Sequence, residues 1–172
     1  ADRLMQLFRR RSTLLLGSAE VLASDFGFRS AIASGDAGTI LSALENNVGR
    51  IDADMASLIS LGGRLGPSTL KAADGGDADE ATYARLAREA DEGGIAASTV
   101  VLGRHAREVV VVPVKAPLTV AWLVLGFALD DTLARELGSQ VQMHVSFVSR
   151  RGSDAAFHGS TLSPPRREDL PR

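Results

Sequence analysis

The chain has no cysteine, which excludes disulfides, thiolate nucleophiles and thiolate metal sites. It has no excess of basic charge either: 19 Lys and Arg stand against 21 Asp and Glu, a formal net charge of −2. Neither a nucleic acid nor an anionic membrane surface is favoured as a partner. No apolar run approaches the ~20 residues that span a bilayer, because the longest, Leu118 to Leu129, is interrupted by Gly126 and reads as a strand. Phosphate-loop, H-E-x-x-H and G-x-S-x-G patterns are missing, and His105, His144 and His158 are isolated from one another in sequence. No metal, cofactor or nucleophile–base arrangement is therefore expected, and an enzyme is disfavoured. The chain opens at Ala1, without methionine, inside what reads as a helix already under way. The expectation is an excised piece of a longer protein whose membrane anchors lie outside it.

What is present is a foldable composition. Hydrophobic residues make up 45% and charged residues 23% of 172 residues, enough for one core and part of a second. Asp2 to Ala23 contains a single glycine and no proline, and its apolar residues recur mostly at three- and four-residue steps. This predicts a long amphipathic helix. Ser24-Asp25 and Ser34-Gly35-Asp36 supply capping side chains for two shorter helices, Phe26 to Ala33 and Ala37 to Val48.

Beyond Arg50 the periodicity becomes that of strands. Met55 to Leu61 and Arg64 to Leu70 flank Gly62-Gly63 and predict a hairpin. Lys71 to Asp79 reads as a solvated loop, and Glu80 to Glu92 as a helix with Tyr83, Leu86, Ala87 and Ala90 on one face. Three strands follow, Ala97 to Leu102, Glu108 to Val114 and Thr119 to Leu129, with turns at Gly103-Arg104-His105 and Lys115-Ala116-Pro117. The fold class expected is α+β, an antiparallel sheet with helices packed on one face. Asp130-Asp131 then open a short helix, Thr132 to Leu137, closed by Gly138.

The segment after it resembles the first hairpin. Met55 and Met143 begin similar strands 88 positions apart, and the closing Ser-Thr-Leu elements, at Ser68 and Ser160, lie 92 apart. Three parts are expected: an N-terminal helical segment (1–50), a sheet subdomain with a linker helix (51–138), and the first hairpin of a truncated second subdomain with a charged tail after Pro164-Pro165 (139–172).

The segments from Leu22 to Asp36, from Asp52 to Leu70 and from Val109 to Asp131, in this order with the long helix ahead of them, resemble double Cache sensors of bacterial membrane receptors. The resemblance covers nearly the whole chain. It implies a PAS-like fold, a periplasmic location, and a parent protein with membrane helices and a cytoplasmic output. The segments look most like the sensors of diguanylate cyclases and phosphodiesterases, so cyclic-di-GMP control is implied, with a histidine kinase as the alternative. The Arg-x-Trp-Tyr pattern of amino-acid-binding relatives is absent around Trp122, so amino-acid sensing is not supported.

In a PAS-like fold the ligand cavity lies between the sheet and its covering helix and loops, which makes polar groups within apolar elements the candidates. These are Tyr83, Arg107, Lys115 and Trp122. Arginine suits a carboxylate or phosphate, and tryptophan an apolar wall or cation–π surface, while core packing and solvated strand ends are the plain alternatives. Asp52 and Asp54 could share one side of an entering strand, although a solvated turn is the favoured reading. The expected partners are an unidentified small molecule and a second copy of the chain, paired through the N-terminal helix.

Overall fold

The computed structural model describes residues 2–51, 53–70, 80–102, 105–151 and 154–162. Asp52, the loop from Lys71 to Asp79, the Gly103-Arg104 turn and the tail carrying Pro164-Pro165 lie outside the described residues.

Three helices open the chain: α1 (Asp2–Ser24), α2 (Phe26–Ala33) and α3 (Ala37–Val48). The Asp25 and Asp36 carboxylates accept the amides of Phe28 and Thr39, both at 2.7 Å, and so start α2 and α3 where the sequence predicts. The sheet comprises β1 (Met55–Ile59), β2 (Leu65–Ser68), β3 (Ala96–Leu102), β4 (His105–Lys115) and β5 (Thr119–Ala128), with α4 (Glu80–Gly93) between β2 and β3. Its order is β2-β1-β5-β4-β3, antiparallel throughout. After it come α5 (Asp131–Val141), β6 (Ser146–Arg151) and β7 (Asp154–Ser160), the last two a separate two-stranded sheet.

Strand alternation divides the core in two. Ala56, Leu58, Val110, Val112, Leu123 and Leu125 face α1, α2, α3 and α5, whereas Met55, Ile59, Val109, Val111, Trp122 and Val124 face α4. The α+β class stands, but α4 does not share a face with the other helices. The cause lies in β4 and β5, whose runs Val109–Val112 and Ala121–Leu125 are apolar at both parities and so have to be covered on both sides.

The start of α5 follows its cap, Asp130, whose carboxylate accepts the Leu133 amide at 2.9 Å. Its end does not follow the sequence expectation. Gly138 lies inside the helix, which runs on to a left-handed residue at Gln142. A Cβ at 138 would come within 2.8 Å of the Met143 carbonyl and 3.0 Å of the Thr161 methyl, so glycine here permits α5 to press against the β6–β7 hairpin.

The repeat is visible in hydrogen bonds. Thr69 exchanges bonds with the backbone of Ala56, and Ser57 and Ser68 join their hydroxyls at 2.6 Å. Thr161 does the same with Val145, and Ser146 with Ser160 at 2.7 Å. The pairing matches Ala56 with Val145 and Ser57 with Ser146, so aligning the two methionines sets the opening strands one residue out of step. Such a slip exchanges the two faces of a strand.

Candidate functional site

On the α4 face, a cavity of about 300 Å3 lies between the β1–β2 turn, α4 and β5. The turn contributes Leu61, Gly62 and Gly63, the helix Ala84, Ala87, Arg88, Asp91 and Glu92, and the strand Trp122. Gly63 takes φ +74°, and a Cβ there would stand 3.1 Å from the Ala84 methyl. Glycine thus satisfies both the turn and the close approach to α4.

Trp122 is only 8% exposed, and its indole nitrogen is buried without a hydrogen-bond partner among the described residues. A buried donor left unpaired costs ~1–3 kcal/mol. Arg88, Asp91 and Glu92 make the opposite wall polar. Asp91 also accepts from the Thr119 hydroxyl at 3.3 Å, which ties the last turn of α4 to the start of β5. A small molecule with an apolar surface for the indole ring and groups to satisfy one guanidinium and two carboxylates matches this lining.

Of the residues singled out in the sequence, Trp122 lines this cavity. Tyr83 is 1% exposed and sits one turn before Ala87, in the apolar layer beneath it. Lys115 lies at the same end of the sheet, opposite Thr119 in the ladder, and its carbonyl accepts from Arg29 at 3.3 Å. Arg107 is elsewhere. It pairs with Ala128 whereas Trp122 pairs with Pro113, six steps along β4 and so about 20 Å away. Its guanidinium is buried against the Asp54 carboxylate at 2.6 Å, and Asp54 also accepts the Ala128 amide. Burial is the main cause that pushes the Asp54 carboxyl up from its ordinary range, against the opposing pull of the Ala128 amide and Arg107. Arg107 and Asp54 therefore tie the entry of β1 to the ends of β4 and β5.

Sequence reasoning passed over Arg88, Asp91 and Glu92 because they lie on the polar side of an amphipathic helix. Their three- and four-residue spacing was visible, but a solvated face has the same pattern. His144 meets Thr161 at 3.2 Å and His158 meets Ser149 at 2.7 Å. Among the described residues no group of three metal-ligating side chains converges, and no helix is long and apolar enough to cross a membrane.

A family model described as the double sensory domain of two-component sensor kinases matches residues 2–169. No curated protein matches the chain. Among solved structures, the periplasmic domain of Vibrio cholerae LuxQ superposes with a TM-score of 0.69 at 17% identity, covering 94% of this chain and 76% of that one. A selenomethionine form of the same domain gives 0.70 at 16% identity, covering 95% and 77%. At such identities the likeness is one of fold, and it agrees with the PAS-like arrangement described above. By the match along almost its whole length, this chain belongs to the family of Cache-type, extracytoplasmic double sensory domains of two-component sensor kinases.

Proposed function

We propose that the chain is the small-molecule input domain of a sensor histidine kinase, with its ligand in the cavity between the β1–β2 turn, α4 and Trp122. The lining itself carries this reading: the Trp122 side chain, whose buried indole nitrogen has no partner among the described residues, stands across from Arg88, Asp91 and Glu92. The family description favours a kinase as the output; the cyclic-di-GMP enzyme implied by sequence resemblance has no further support.

The fold offers a route for the signal. Trp122 faces the cavity, and its neighbours Ala121 and Leu123 belong to the core on the α1 face. A ligand that moved β5 would therefore bear on the helix behind the sheet, and it would shift the population of two α1 positions if it bound them unequally. α1 also divides its apolar residues. Leu15, Ala19, Leu22 and Ala23 are buried on the chain's own sheet, while Leu14 and Val21 are 60% and 72% exposed and line a groove with Gly17. That outer strip supports pairing with a second copy of the chain.

A thermal-shift screen of small polar metabolites tests the proposal. At a hundredfold excess over Kd a ligand adds about 2.7 kcal/mol, or roughly 5–11 °C in Tm for a chain of this size. Trp122→Phe, which keeps the ring and removes the donor, should reduce that shift markedly. Full retention of the shift in Trp122→Phe and Arg88→Ala would exclude this cavity.

A further inference from the structure

A second cavity, of about 360 Å3, lies on the other face of the sheet. It opens between the first turns of α1, the β3–β4 end of the sheet, α5 and the β6–β7 hairpin. Leu4, Phe8, Leu137 and Phe147 give it an apolar lining, and Met5 and Val148, 49% and 42% exposed, stand where it meets solvent. Its volume is near the lower limit of the ~300–1,000 Å3 usual for small-molecule sites.

Behind its wall is an acid. Thr99 and Ala106 line the cavity, and Glu108 is directly opposite Thr99 in the ladder and two residues from Ala106 on the same side of β4. Glu108 is 9% exposed and accepts a hydrogen bond from the Thr99 hydroxyl at 2.7 Å. Among the described residues no cation forms an ion pair with it. Arg11, on the same face, holds Glu136 at 3.3 Å and lies 4.9 Å from the centre of the Phe127 ring. On the hairpin side, His158 is joined to Ser149. Burial raises the Glu108 carboxyl above its ordinary range, as expected for an acid lacking a counter-ion. A buried carboxylate without a cation is costly, and a cation that reaches it from an apolar cavity would relieve that cost.

We propose that this cavity binds an apolar primary amine, its alkyl body among Leu4, Phe8 and Phe147 and its ammonium directed to Glu108 beside Thr99. The site is separate from the Trp122 cavity and does not depend on it. Because its walls come from α1, the sheet and the β6–β7 hairpin together, an occupant would hold those three elements in one arrangement.

The test is calorimetric titration of the full 172-residue chain with n-octylamine, sodium octanoate and n-octanol at neutral pH. The amine is expected to bind at least tenfold more tightly than octanoate. Glu108→Gln should weaken the amine at least tenfold and leave octanol unchanged, while Trp122→Phe should alter none of the three. Equal binding of amine and carboxylate, an unaltered amine affinity in Glu108→Gln, or loss of the amine in Trp122→Phe would each overturn the proposal.

Discussion

Removing Asp54 should destabilise the fold far more than removing Arg107, although the two make a single ion pair. The asymmetry comes from burial: the Arg107 side chain is 8% exposed and that of Asp54 45%. Asp54→Ala leaves a guanidinium buried without an anion and the Ala128 amide without its acceptor. A hydrogen bond to a charged group contributes ~1.5–3 kcal/mol and an amide left unpaired costs about 1 more, so a loss of about 3 kcal/mol is expected. This is at the lower end of the ~3–5 kcal/mol for breaking a buried pair, as suits a partner half in water. Arg107→Met keeps most of the volume, and water can serve the exposed carboxylate, so its cost should stay within about 1 kcal/mol. Urea unfolding followed by the fluorescence of the single tryptophan, Trp122, measures both. For Asp54→Ala the corresponding fall in Tm is about 6–12 °C. Equal costs for the two variants, or a cost below about 1 kcal/mol for Asp54→Ala, would refute the burial argument. Ligand-induced stabilisation should survive in Arg107→Met, since the residue lies about 20 Å from Trp122 along the ladder.

Glu108→Gln should stabilise the chain at neutral pH. With its folded pKa raised, wild-type Glu108 favours folding only while protonated, and that contribution is lost as pH rises from the ordinary carboxylate range through the folded value; thermal melts across that window should be flatter in the variant. Gly63→Ala should cost about 1–3 kcal/mol in urea unfolding, because it forces a left-handed backbone on a residue with a Cβ close to Ala84. Adding Ala84→Gly should relieve only the steric part. Leu14→Arg with Val21→Arg should abolish any dimer seen by analytical ultracentrifugation while leaving monomer stability within about 0.5 kcal/mol, since both side chains are exposed. A dimer that persists in this variant would rule out the outer strip of α1.

Much of the fold was legible because it rests on local chemistry. Asp25, Asp36 and Asp130 mark the helix starts by a short side chain meeting free amides, and no distant contact is needed to see this. The errors came where a distant contact overrode the local signal. Gly138 reads as a terminator, yet it is kept for the passage of Thr161. The two methionines suggest a register that the Thr69 and Thr161 bonds displace by one residue. At the site the limit is sharper. The ladder puts Arg107 and Trp122 on the same face of the sheet but at opposite ends of it, and strands that are apolar at both parities show neither in the sequence. The true partner of Arg107, Asp54, is 53 positions away, and nothing in either neighbourhood announces the pair.

The two-sided burial that composition showed as plain apolar runs is also what gives the domain its working geometry. β5 presents Trp122 and Val124 to the α4 face and Ala121, Leu123 and Leu125 to the α1 face, so one strand is shared by both cores. Cores packed to crystalline density transmit displacement instead of absorbing it. A ligand under Trp122 and an occupant of the hairpin cavity would consequently act on α1 from the two sides of the same sheet. If each favours a different position of α1, linkage requires each to weaken the other's binding by the same factor. Reciprocal titrations of the two ligands would measure that factor, and strict independence of the two affinities would show that the shared strand carries no signal.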